Sequence, residues 1–160
     1  MSQNHLQVSS SAFAAGERIP QVHAHAPEGR DVSPPLAWNG VPPGARELAL
    51  IVDDPDAPRA EPWVHWVLYG IPASAAGLPV GASSGSGLPS GARQGENDFG
   101  ERGWGGPLPP PGHGTHHYHF KLYALDTELG LPAGAGKDDL LRAMKGHVVA
   151  EGELIGTYSR

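Results

Sequence analysis

The chain of 160 residues and 16.7 kDa carries 11 basic and 17 acidic side chains, a formal net charge of −6 with histidines neutral, and no cysteine. That balance gives no electrostatic footprint for nucleic acid, and without cysteine there is no disulfide scaffold, thiolate catalysis or thiolate zinc site. With 23 Gly and 17 Pro, a quarter of the residues, long helices are excluded, while 39% hydrophobic against 18% charged residues argues against disorder.

The length predicts one domain over residues 1–160. Met1 to Phe13 shows neither a basic n-region nor an apolar h-region, and no apolar stretch approaches the roughly 18 residues of a membrane span. A cytoplasmic protein without an integral membrane segment is therefore expected. Leu6 to Phe13 is predicted as a first strand, and Leu36 to Trp38 as a short extended piece among turns whose prolines at 34, 35, 42 and 43 forbid helix. Glu47 to Asp54 is a continuous apolar run ending in two acids, as for a strand buried on both faces. Trp63 to Pro72 is a second buried strand, rich in aromatic and β-branched residues. Gly77 to Gly114 has no periodicity and reads as one long loop. Tyr118 to Asp126 is a third strand. KDDLLRAM is the one good helix, with Asp138 as N-cap, Leu140, Leu141 and Met144 on one face and Gly146 as the stop. HVVAEGELIGTY makes a last strand. The class is mainly β: a sandwich or barrel-like double sheet with one or two short peripheral helices.

Nine histidines against three lysines is the compositional oddity, and four of the nine lie in HGTHHYH, residues 113–119. Strand alternation places Trp63, His65, Val67 and Tyr69 on one face, and separates His116, Tyr118, Phe120 and Leu122 from His117, His119 and Lys121. A histidine in an apolar strand needs a hydrogen-bond partner. Asp54 or Asp56 at the end of the neighbouring strand would orient His65 and raise its pKa, leaving His65, His116 and the Tyr118 hydroxyl to hold an anion. DDPDAP, residues 53–58, is a rigid acidic turn, though such turns occur on many surfaces. A cis bond before Pro58 would suit it. GWGGPLPPPGHG, residues 103–114, is either an anion nest or a Pro-rich surface connector. The histidine cluster invites a metal reading, but alternation splits it, and no HExxH, nucleophile elbow or P-loop is present. No metal and no cofactor are expected.

Taken together, SPPLAW (33–38), DDPDAP (53–58), PWVHW (62–66), NDFG (97–100), GWGGPLPP (103–110), HHYHFKLYALD (116–126) and HVVAEGELIGTY (147–158) resemble the phosphatidylethanolamine-binding protein family, especially its small bacterial branch, relatives of the Raf kinase inhibitor proteins. The resemblance covers roughly the whole chain. It implies a β-sandwich of two antiparallel sheets with a small pocket at one end for phosphate-type anions or phospholipid headgroups. By motif it assigns Asp54, Asp56 and Pro58 to the acidic turn lining that pocket, Trp63 and His65 to the strand beside it, Gly106 and Pro107 to the glycine-proline loop, and His116 and Tyr118 to the His-x-Tyr element. His117 stands where eukaryotic relatives usually carry arginine, Val64 replaces a second histidine, and Trp104 stands where tyrosine is frequent.

The reading that follows is a non-enzymatic, regulatory binding protein whose ligand is a small anionic or zwitterionic phosphate compound. In it Asp54 orients His65, and the Gly106 N–H joins His65, His116 and Tyr118 as a donor to the anion. Two alternatives stay open: an inhibitor of a protease or kinase acting through the 77–114 loop, and a metal-assisted hydrolase using His65, His116 and Asp54. A homodimer is equally open.

Overall fold

The computed structural model describes residues 5–85 and 87–160. Among these residues eight strands and one α-helix follow in order: β1 (Gln7–Ser9), β2 (Leu36–Asn39), β3 (Glu47–Asp54), β4 (Trp63–Pro72), β5 (Gly77–Leu78), β6 (Arg93–Gln94), β7 (His116–Leu125), α1 (Lys137–Met144) and β8 (Val148–Tyr158). All neighbours pair antiparallel, in a three-stranded sheet β1-β2-β5 and a five-stranded sheet β6-β4-β3-β7-β8. The predicted β-sandwich is what the chain forms.

Every residue of β3 is buried, because the larger sheet is covered on both sides. Leu48, Leu50 and Val52 face the smaller sheet, where Leu36 and Trp38 of β2 meet Trp66, Leu68, Phe120, Leu122 and Leu154. Ala49 and Ile51 face the other way, under Leu140 and Met144 of α1 and beside Val67, Tyr69 and Leu125. The free edge of β8 is closed by the N-terminal segment, with the Leu6 N–H on the Glu151 carbonyl at 3.1 Å and the Ile19 N–H on the Thr157 carbonyl at 2.8 Å. An open edge, the usual hazard of a sheet, is thereby removed along β8.

Several expectations are corrected. The first strand is Gln7–Ser9 rather than 6–13, since the Ser10 hydroxyl takes the Ala12 N–H at 3.1 Å and turns the chain. The helix begins at Lys137 with Gly136 at its N-cap; Asp138 is inside it, and Asp139 accepts the Gly136 N–H at 3.1 Å. Leu140 and Met144 share the buried face at i, i+4 spacing, while Leu141, a further 100° round, is exposed. The 77–114 stretch contains β5, β6 and a 3-10 turn at Ala82–Ser84. Its remainder is held by side chains: the Asn97 amide oxygen accepts the Phe99 and Glu101 N–H groups, and its nitrogen donates to the Gly103 carbonyl at 2.9 Å. The cis proline bond is Ala26–Pro27; the Ala57–Pro58 bond is trans.

The register of β4 also departs from simple alternation. Val52 pairs with Trp66 and the next residue, Asp53, pairs with Val64, so β4 has one residue too many at His65. This bulge turns both His65 and Trp66 toward the space between the sheets, while Val64 and Val67 pack beneath α1. His65 therefore does not share a face with Val67 and Tyr69.

Candidate functional site

At one end of the sandwich the mouths of β3, β4 and β7 enclose a cavity of about 360 Å³. Asp54 closes β3 and points inward, because it lies on the same side as Leu48, Leu50 and Val52; Asp53 points outward to Lys121 and Lys137. The turn after β3 contributes Ala57 and Pro58, and β4 contributes Trp63 and His65. His116 and Tyr118 enter from β7, and Phe99 with Leu108, Pro109 and Pro110 forms the apolar wall opposite.

The polar groups are arranged in two sets. In the first, His65 is buried and its Nδ1 lies 2.6 Å from the Gly105 carbonyl. A carbonyl only accepts, so Nδ1 carries the proton and neutral His65 holds a lone pair on Nε2. Burial keeps this imidazole below the ordinary histidine pKa, against the opposing pull of the Gly105 carbonyl and of Asp54. The Tyr118 ring meets that of His65 edge-on with centres 5.1 Å apart. Burial, reinforced by the Asp54 and Asp56 charges, pushes the Tyr118 phenol upward, so its hydroxyl stays protonated. Among the described residues neither His65 Nε2 nor the Tyr118 hydroxyl has a protein hydrogen-bond partner.

In the second set, Asp54 Oδ2 lies 2.6 Å from His116 Nδ1, and Asp54 Oδ1 accepts the Asp56 N–H at 2.8 Å. His116 Nε2 then lies 2.6 Å from Nδ1 of His113, an exposed residue of the loop before β7. The structure thus assigns Asp54 to His116. The expected Asp54–His65 pair with a raised His65 pKa is not formed: the Gly105 carbonyl takes that place, and burial lowers the pKa instead.

Six of the nine expected site residues line the cavity: Asp54, Pro58, Trp63, His65, His116 and Tyr118. Asp56 lies outside it, accepting both the backbone N–H and the Nδ1 of His117 at 2.8 Å. Its carboxyl sits below the usual range: burial pushes it up, but the His117 bonds outweigh that. Gly106 and Pro107 lie behind the wall. The Gly106 N–H donates to Asp31 Oδ1 at 2.7 Å, so it is not free for an anion, and Pro107 accepts the His25 N–H at 3.0 Å. A side chain at Gly106 would overlap the His23 carbonyl oxygen. The His25 ring stacks on Phe99 with centres 4.1 Å apart, carrying this support to the cavity.

Phe99, Leu108, Pro109, Pro110 and His113 were not foreseen as site residues. Phe99 had a signal: a lone large aromatic in a stretch of turn residues has to be buried somewhere. The proline wall is held from just beyond β8, where Arg160 Nε donates to the Pro109 carbonyl at 2.7 Å and the Arg160 carbonyl accepts the Gly112 N–H at 3.0 Å. Arg59 pairs with Asp98 and lays its guanidinium 4.6 Å from the centre of the Trp63 ring. Among the described residues no three His, Asp or Glu side chains are grouped to hold a metal ion.

A β-sandwich with a small apolar-walled cavity, edged by histidine, tyrosine and a carboxylate, has the architecture of a binding protein. The chain belongs to the phosphatidylethanolamine-binding protein family, whose model matches residues 9–159. It is 48% identical over 155 residues to a UPF0098 protein of Methanothermobacter thermautotrophicus, covering 97% of this chain and 99% of that one. The crystal structure of Escherichia coli YbcL, described as a member of the mammalian family, superposes with a TM-score of 0.92 at 38% identity, covering 98% of this chain and 99% of that one. A family homologue from Chlamydia trachomatis gives 0.87 at 39% identity, covering 99% of each chain. The carboxypeptidase Y inhibitor, at 17% identity and a TM-score of 0.55, shares the fold. No helix among the described residues is long and apolar enough to cross a membrane. A Mycobacterium tuberculosis relative, 40% identical over 154 residues, is named as a lipoprotein candidate.

Proposed function

We propose that the cavity binds a phosphate-bearing small molecule or phospholipid headgroup, without chemical conversion. The observation that carries this reading is the convergence of two unpartnered polar atoms, His65 Nε2 and the Tyr118 hydroxyl, beside the Asp54–His116 pair in an otherwise apolar cavity. Tyr118 donates to a phosphate oxygen. His65 presents a lone pair when neutral, so one proton has to lie between it and the phosphate, as O–H···N or as O⁻···H–N⁺. A monoprotonated phosphate, or a dianion that draws a proton onto His65, meets that condition. A zwitterionic headgroup fits further, because its ammonium answers the Asp54 carboxylate. Pro58, Trp63 and the Leu108–Pro110 wall exclude water and strengthen these contacts.

The 77–114 segment, the alternative inhibitory loop, is tied down by Asn97 and Ser83 and supplies cavity wall. Calorimetric titration with phosphoethanolamine and with inorganic phosphate, for the native protein and His65→Ala, tests the proposal. Saturable binding that disappears in the variant is expected; equal affinity in both proteins overturns it.

A further inference from the structure

Building on the proposed anion pocket, we infer that exposed His113 is a positioning residue that sets the charge of the buried Asp54–His116 pair, through an unbroken chain of hydrogen bonds from solvent to the cavity wall. The chain runs from Asp54 Oδ2 to His116 Nδ1 at 2.6 Å and from His116 Nε2 to His113 Nδ1 at 2.6 Å. Asp54 and His116 are buried, whereas His113 is exposed and lies outside the cavity lining.

Two imidazole nitrogens 2.6 Å apart accommodate one proton between them, not two. In the basic form His116 donates through Nδ1 to Asp54, His113 donates through Nδ1 to His116, and His113 Nε2 is a lone pair. The three side chains together then carry one negative charge. A proton taken up at His113 Nε2 brings them to zero, and shifting each bridging proton one place along the chain delivers that charge change to Asp54. No other proton leaves. An exposed atom thereby decides whether the cavity wall is anionic or neutral, and a neutral wall favours an anion.

The other charged and titratable groups around this chain are fewer in effect. His117 is committed to Asp56, and Arg160 faces the loop with its carbonyl on Gly112 while its guanidinium serves Pro109 and Glu28. Tyr118 lies beside His116 on β7 with its ring stacked at 6.5 Å, and His65, also in the cavity lining, contributes its own proton dependence, so the test has to separate the two histidines.

Sulfate serves as probe, since it remains a dianion throughout pH 5.5 to 8. Its dissociation constant would be measured across that range at fixed ionic strength for the native protein, His113→Ala and His65→Gln. Affinity should rise on acidification, with a coupling in the common range of about 5- to 150-fold. The part that remains in His65→Gln should vanish in the His65→Gln/His113→Ala double variant. An identical slope with and without His113 overturns the inference. In parallel, long-range ¹H–¹⁵N spectra of the ligand-free protein should show His116 and His113 changing together with pH, and His116 changing differently in His113→Ala. Independent titration refutes the chain even if sulfate binds. Absence of sulfate binding at every pH overturns the charge linkage, while the phosphoethanolamine titration decides the pocket's proposed function and the spectra decide the chain.

Discussion

Asp54 and His116 meet at 2.6 Å with only 4% and 2% of their side chains exposed, and this contact ties the end of β3 to the start of β7. Asp54 lies one residue, and His116 three residues, beyond Asp53–His119, the last backbone pairing of those two strands. A side-chain bond thus continues the ladder where the main chain separates to make room for the cavity.

Removing one partner leaves the other buried without compensation. His116→Ala should cost about 1 to 3 kcal/mol, the usual penalty for leaving a buried polar group without its hydrogen-bond partner. Urea denaturation of Asp54→Ala, His116→Ala and the double variant checks it. The double variant should be clearly more stable than the two single losses imply; strict additivity would show that the contact contributes nothing.

His65 and His23 are both held below the ordinary histidine pKa by burial, each against a backbone carbonyl that pulls upward. Between the folded value and the unfolded value of about 6.5, the unfolded chain binds more protons, so stability rises with pH in that window. Their contribution is intact above about 6.5 and is lost as pH falls through the folded value. Melting temperatures recorded from pH 7.5 down to 5 should decline less steeply in His65→Gln than in the native protein. An unchanged slope would contradict the burial argument.

Gly106 is required for packing rather than for a left-handed backbone: an added methyl carbon would overlap the His23 carbonyl oxygen, and the N–H is used by Asp31. Gly106→Ala should cost at least the roughly 1 to 3 kcal/mol of an overpacked core site. Gly44 has open space around it and an ordinary backbone, so Gly44→Ala should be neutral or slightly stabilising. Chemical denaturation of the two variants side by side makes the comparison, and equal effects would remove the packing role.

Tyr118→Phe separates ligand binding from folding. Its hydroxyl has no protein partner among the described residues, so stability should change by less than about 1 kcal/mol. A hydrogen bond to a charged phosphate is worth about 1.5 to 3 kcal/mol, so affinity for phosphoethanolamine should fall roughly 10- to 150-fold. Thermal melts and calorimetry on one preparation read both. Unaltered affinity would place the ligand elsewhere.

The long strands were legible because continuous apolar runs such as ELALIVDD have few other ways to be buried. The bulge at His65 was not: it depends on how β4 pairs with β3, and no residue beside His65 marks it, whereas Gly70 accompanies the second register shift of β4, opposite Leu48 and Leu50. Alternation consequently put His65 on the wrong face, although the motif it belongs to still led to the cavity. That neither Asp54 nor Asp56 partners His65 was likewise invisible: His116 takes the first, His117 the second, and the carbonyl on His65 comes from Gly105, 40 residues along the chain. Two-residue strands such as β5 and β6 carry no periodicity at all. The proline wall and the Gly105 carbonyl depend on loop paths fixed by distant groups, Asn97, Ser83 and Arg160.

The four tryptophans divide into two optical populations. Trp38, Trp66 and Trp104 are sealed in the core, whereas Trp63 is partly exposed on the cavity wall under the Arg59 guanidinium. Emission from the first three should be blue-shifted and indifferent to an occupant, changing only when the sandwich comes apart. Trp63 alone should respond to a molecule entering the cavity, which gives the native protein a built-in reporter that needs no label, with Trp63→Phe as its blank.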